Sequence, residues 1–124
     1  MELPSDNTPM KTLALFCLLA LPAFAADTTI VGKFVGVHDG DTLTLRTFNE
    51  TLKVRLFGID TPELGQPFGN NAKQALSGMV FGKSVTISSS GKDRYDRTLG
   101  VVYLGNGNVN AQMIRMGMAW HYKQ

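Results

Sequence analysis

Between positions 42 and 57 apolar and polar residues alternate with a period of two, in the runs Thr42–Thr47 and Thr51–Phe57, split by Phe48-Asn49-Glu50. Successive side chains on a strand point to opposite faces, so this period predicts a β-hairpin that buries Leu43, Leu45, Leu52, Val54 and Leu56. Arg55 then projects from the opposite face. Upstream, Thr28–Val37 is β-branched and aromatic, with Gly32 and Gly36 interrupting, and predicts a long bent strand ended by the His38-Asp39-Gly40 turn. Gly58–Gly69, with two prolines and three glycines, predicts a loop. The period then changes: Ala72, Ala75, Leu76, Met79 and Val80 fall at i, i+3, i+4, i+7 and i+8, the stripe of an amphipathic helix stopped by Gly82. Ser84–Ser88 and Thr98–Leu104 predict two more strands, joined by the polar segment Ser89–Arg97. After the Gly105-Asn106-Gly107 turn, Asn110 is expected to cap a short helix through Met116, ended by Gly117, with Met113, Met116 and Met118 as core filler.

Five short strands, with one helix between the third and fourth, predict an α+β fold: a five-stranded OB-type β-barrel with packed helices, whose surface often handles oligonucleotides. The N-terminus follows another rule. Met10-Lys11-Thr12, the apolar run Leu13–Leu21 and Pro22-Ala23-Phe24-Ala25-Ala26 read as the charged, apolar and small-x-small parts of a secretory signal starting at Met10. Residues 1–25 are therefore expected to be removed, leaving 26–124 as the domain, secreted or periplasmic. The apolar run is shorter than the ~20 residues of a membrane-spanning helix, so no stable membrane association is expected after cleavage. The chain of 124 residues carries 12 Lys+Arg and 10 Asp+Glu; losing Lys11, Glu2 and Asp6 leaves it mildly basic, which suits a polyanionic partner, and a monomer is expected. The one cysteine, Cys17, lies in the signal, which excludes an intrachain disulfide and a cysteine metal site.

Polar residues gather at strand ends, where a barrel can bring them to one face. Asp41 and Asp60, with the Thr61 carbonyl and waters, are the hard oxygen ligands that suit Ca²⁺ or Mg²⁺. Arg55 and Arg97 match the bidentate way a guanidinium grips phosphate. Glu63 is left as a base or water-orienting group. Metal, phosphate clamp and base together describe phosphodiester hydrolysis. His38 and His121 have no spacing that pairs them with the carboxylates.

The strings Asp39-Gly40-Asp41-Thr42, Val54-Arg55-Leu56-Phe57-Gly58-Ile59-Asp60-Thr61-Pro62-Glu63, Gln66-Pro67-Phe68-Gly69, Asp93-Arg94-Tyr95-Asp96-Arg97-Thr98-Leu99 and Val109-Asn110 with Gly117-Met118-Ala119-Trp120 together resemble the thermonuclease (staphylococcal nuclease-like) family over Val31–Tyr122. The resemblance implies an OB barrel and a Ca²⁺-dependent endonuclease acting on DNA and RNA. Little sequence specificity, a preference for single-stranded or locally unpaired substrate, and 3′-phosphate products are expected. It implies Asp41, Asp60 and the Thr61 carbonyl as Ca²⁺ ligands, Arg55 and Arg97 on the scissile phosphate, Glu63 on the attacking water, and Tyr95 and Tyr122 lining the nucleotide pocket. Asp96 stands where the family usually carries Gly, a substitution eased by the better tolerance of Asp for unusual turn geometry. The chain stops at Gln124, so the family's usual last helix is expected to be lacking. The competing reading is a catalytically silent OB module that only binds nucleic acid; such modules lose the carboxylates, the arginines or the base, all of which are present here.

Overall fold

The three period-two and β-branched runs form a continuous antiparallel meander of β1 (Thr28–Val37), β2 (Thr42–Arg46) and β3 (Thr51–Leu56). The structure, a computed structural model, describes residues 27–122. The expected signal segment, with Met10, Cys17 and the expected cleavage position after Ala25, lies outside the described residues. Leu43, Leu45, Val54 and Leu56 are buried as the alternation requires, together with Phe34 of β1. Leu52 is only half-buried, because it faces an open depression shared with Ile30 and Glu50.

The chain continues through β4 (Ile59–Asp60), α1 (Gly69–Val80), β5 (Ser84–Lys92), β6 (Thr98–Leu104), β7 (Gly107–Asn108), α2 (Val109–Arg115) and β8 (Trp120–His121). β5 pairs antiparallel with both β1 and β6, and β6 pairs with β3. The ring β1, β2, β3, β6, β5 is thereby closed into a five-stranded barrel, and the β3–β6 seam is parallel whereas the other four pairings are antiparallel. Closure leaves the barrel strands without a free edge to template aggregation. α1 buries Ala72, Leu76 and Val80 against the barrel interior, with Ala75 and Met79 partly covered, as the helical stripe predicts. Val109 and Met113 of α2 complete the same core.

Four local expectations are corrected. β5 runs to Lys92 rather than Ser88, because a bulge between Ser89 and Gly91 lets it re-pair with Leu99 and Thr98, and the three serines carry no apolar alternation to announce this. Ile59–Asp60 is not pure loop: it pairs antiparallel with Trp120–His121 and buries Ile59. The cap of α2 is Asn108, whose side-chain oxygen accepts from the Ala111 N–H at 3.0 Å, and not Asn110. Asn110 instead sits inside the helix, buried, where its side chain accepts from Val102 N–H and donates to the carbonyls of Phe57 and Gly100 at 3.0–3.1 Å. Met113 is core and Met118 packs against it, but Met116 caps the helix C-terminus and is exposed.

Candidate active site

Three strand ends and two turns meet where β3 and β6 close the barrel. The Asp39-Gly40-Asp41 turn is wedged under α1: a Cβ on Gly40 would come within 2.6 Å of the Ala72 Cβ and 2.7 Å of the Thr61 hydroxyl. Only glycine allows that approach, and it presses Asp41 against Thr61. Asp41 N–H donates to the Asp39 carboxylate at 3.1 Å, closing the turn, and the Thr42 hydroxyl donates to Asp41 Oδ1 at 3.2 Å.

Asp41 Oδ2 and Asp60 Oδ1 both accept from a single donor, the Thr61 N–H, each at 3.1 Å. The same two oxygens flank Arg55, at 3.4 Å from Nη1 and Nη2 respectively. Arg55 Nη1 also donates to the carbonyls of Leu56 and Ile59 at 2.9 Å, so the guanidinium plane is fixed by its own strand and by β4. Burial pushes the Asp41 carboxyl up to about 6 against the opposing pull of Arg55, and neighbouring Asp39 adds to the rise. No cluster of three or more His, Cys, Asp and Glu side chains arranged for a metal occurs among the described residues. Two converging carboxylates next to the backbone of Thr61 nevertheless fit a hard divalent cation whose remaining ligands are carbonyl and water oxygens.

Across the seam, Arg97 immediately precedes Thr98, the register partner of Val54, while Arg55 is paired with Leu99. Arg97 is held by Asp93: its Nε donates to Oδ2 at 2.7 Å and its backbone N–H to Oδ1 at 2.9 Å, and the Tyr95 N–H also donates to Oδ1 at 2.9 Å. Burial alone would raise the Asp93 carboxyl, but these donors and the Arg97 charge hold it below the ordinary range. Asp96 sits at φ 64°, in the left-handed region, and its carboxylate pairs with Lys92 at 3.2 Å. The guanidinium groups of Arg94 and Arg97 lie 5.0 and 5.4 Å from the Tyr95 ring centre, within cation–π range.

Arg55, Asp60, Asp93, Arg94, Tyr95, Arg97, Leu99 and Tyr122 line one cleft of about 440 Å³. The structure therefore brings together Asp41, Arg55, Asp60 and Thr61 by direct contact, and Arg97, Tyr95 and Tyr122 across the cleft. Glu63 stands apart on the loop after Thr61: Gln66 holds its backbone from both sides, and its side chain is exposed. A Cβ on Gly69 would run into the Glu63 carbonyl, so this loop is folded tightly back on the start of α1. Sequence reasoning gave no role to Asp93, Asp39 or Arg94. Asp93 and Arg97 are four residues apart, a spacing that suits an Asp-closed turn presenting the arginine.

A family model described as staphylococcal nuclease homologue matches residues 53–124. An uncharacterized endonuclease of Haemophilus influenzae is 50% identical over 93 residues, 74% of this chain and 52% of that protein. A micrococcal nuclease of Shigella flexneri is 40% identical over 119 residues, covering 89% of this chain and 67% of its own length. An uncharacterized endonuclease of Escherichia coli O157:H7 is 41% identical over 113 residues, 90% of this chain and 72% of that protein. The chain thus spans about half the length of the Haemophilus relative.

Proposed function

This chain belongs to the staphylococcal nuclease homologue family, and on that premise we propose that it is a Ca²⁺-dependent endonuclease that hydrolyses DNA and RNA phosphodiesters to 3′-phosphate products. The observation that carries this reading is the double pairing of Arg55 with Asp41 and Asp60, with Arg97 on the same cleft. Asp41, Asp60 and the Thr61 carbonyl would hold the cation. Bound there, Ca²⁺ supplies charge neutralisation and polarisation of a phosphate oxygen. Arg55 and Arg97 grip the non-bridging oxygens and stabilise the charge that develops as phosphorus becomes five-coordinate. Arg55 then exchanges part of its carboxylate contact for phosphate. Glu63, exposed on the loop after Thr61, accepts or orients the proton of the attacking water, and the 5′-oxygen departs with a proton from solvent. Tyr95 and Tyr122 provide ring surfaces for the flanking nucleoside.

Incubation of the chain with single-stranded DNA tests the reading. Hydrolysis should stop in chelator and return on adding Ca²⁺; cleavage undiminished by chelator would remove the metal assignment, and binding with no cleavage would favour the silent module. Export is proposed from the N-terminal pattern: a Gram-negative host should release a chain beginning at Ala26, and an intact N-terminus by mass spectrometry overturns this.

A further inference from the structure

Three cations outside the cleft stand in an order that its chemistry does not require. On the outer face of β1–β3, Thr42 is in register with Arg55, Thr44 with Lys53, and Arg46 with both Thr51 and Lys33. These are successive rows of one sheet face, so the cations step away from Arg55 at intervals of two residues, about 6.7 Å. Lys33, Arg46 and Lys53 are all exposed, and none joins an ion pair among the described residues. Lys33 lies directly opposite Arg46, a like-charge cross-strand pair that costs stability unless an anion sits over it. Of the nearby carboxylates, Glu50 lines a different depression with Thr28, Ile30 and Leu52, and Asp39 closes its own turn onto Asp41 N–H. Beyond Arg46, at the tip of the β2–β3 hairpin, the Phe48 side chain is fully exposed while hydrogen bonds among Thr47, Asn49 and Glu50 hold the turn beneath it. At the other end, a depression of about 490 Å³ lined by His38, Asp39, Thr42, Lys53, Tyr95 and Arg97 joins the row to the cleft.

We propose that this face is a track for a single nucleic-acid strand: Lys53, then Arg46 with Lys33, take successive phosphates of the strand running out of the cleft, and Phe48 stacks on an unpaired base at the far end. The inference rests on the nuclease reading above and adds how substrate is held away from the scissile bond. A single file of cations at intervals on the scale of one nucleotide, ended by an exposed ring, suits a strand whose bases are free to stack and whose sequence is not read. A bound polyanion would relieve the cross-strand repulsion between Lys33 and Arg46.

The test uses the full chain and a single-stranded oligonucleotide of about twelve nucleotides, a length within the range such surfaces occupy. Affinity is measured in chelator, across a salt series, for wild type, for a triple variant Lys33→Gln, Arg46→Gln and Lys53→Gln, and for a charge-matched control, Lys73→Gln, Lys83→Gln and Arg115→Gln. Each lost phosphate contact removes about 0.7 from the log–log salt slope for single strands, so the track variant, which loses two, should lose about 1.4 units. Between 50 and 200 mM salt, that makes the wild type roughly 7-fold steeper in its loss of affinity. The control should keep the wild-type slope, and Phe48→Ala should weaken binding roughly tenfold with the slope preserved. In Ca²⁺, the track variant should lose more kcat/KM on the long oligonucleotide than on a dinucleotide. Equal slopes for the two triple variants would reduce the row to bulk charge and overturn the track alone, provided that dinucleotide cleavage persists. A slope difference without any cleavage would support the track while removing the nuclease reading. A wild type that neither binds nor cleaves overturns both.

Discussion

Arg55 shows how much of this site depends on the shape of one side chain. Its Nη1 reaches two carbonyls and Asp41 while Nη2 reaches Asp60, a spread that a single ammonium cannot reproduce. Arg55→Lys should therefore keep the charge and lose the fork, lowering kcat on the order of 10²-fold with a smaller effect on substrate binding. Single-turnover kinetics would show it, and near wild-type turnover would make Arg55 a plain surface charge. Asp93 plays a supporting part by orienting Arg97. Its folded pKa lies below the ordinary value of 3.8, so its contribution to stability is complete above that pH and is lost as the pH falls through the folded value. Asp93→Asn should accordingly lower the thermal midpoint at neutral pH, with the gap to wild type closing below about pH 4. A gap of the same size at every pH would assign the effect to the shape of the turn instead of the charge.

At the scale of elements, the link between α2 and the barrel is a polar one. Asn110 ties the helix to the β6 backbone at Gly100 and Val102 in a buried setting, and to Phe57 after β3 in a part-buried one. Asn110→Ala would leave the Val102 N–H and the Phe57 carbonyl without this partner, while the Gly100 carbonyl keeps the Phe57 N–H, so a loss of about 1 to 3 kcal/mol is expected from chemical denaturation, with the slope against denaturant unchanged. A loss under about 1 kcal/mol would mean that water replaces the amide. This link also marks where the sequence stopped being legible. The hairpin and α1 could be read because their partners lie close along the chain and repeat a period of 2 or 3.6. Asn108 and Asn110 both suit a cap, and the structure leaves the capping to Asn108 because the side chain of Asn110 is taken up by the β6 backbone, a partner no local pattern announces. The β4–β8 ladder joins two-residue segments distant in sequence, too short for any period to appear. Of the site, Asp41, Asp60, Arg55 and Arg97 could be picked out as chemical types in recognisable strings. The function of Asp93 is a matter of turn geometry and could not.

For the whole molecule, cation and nucleotide binding should be felt as stability. A ligand that binds only the folded state, at about 100 times its Kd, adds about 2.7 kcal/mol. For a domain near 100 residues that corresponds to a rise of roughly 10 to 20 °C in Tm. Ca²⁺ with a nucleotide should produce such a shift in wild type and little in Asp41→Asn; an equal shift in both would place the ligand elsewhere. The parallel seam between β3 and β6 has a further consequence, in time as well as in space. Neighbouring strands of the two hairpins can find each other early, but Val54 meets Thr98 only after a long stretch of chain, including all of α1, has been gathered. Closing so large a loop is entropically slow, which makes the seam a late event in folding. Arg55 and Arg97 sit on its two sides. The phosphate clamp proposed for these two arginines is therefore assembled by the same step that completes the barrel, and a chain still folding, or one opened at this seam, holds only half of the pair.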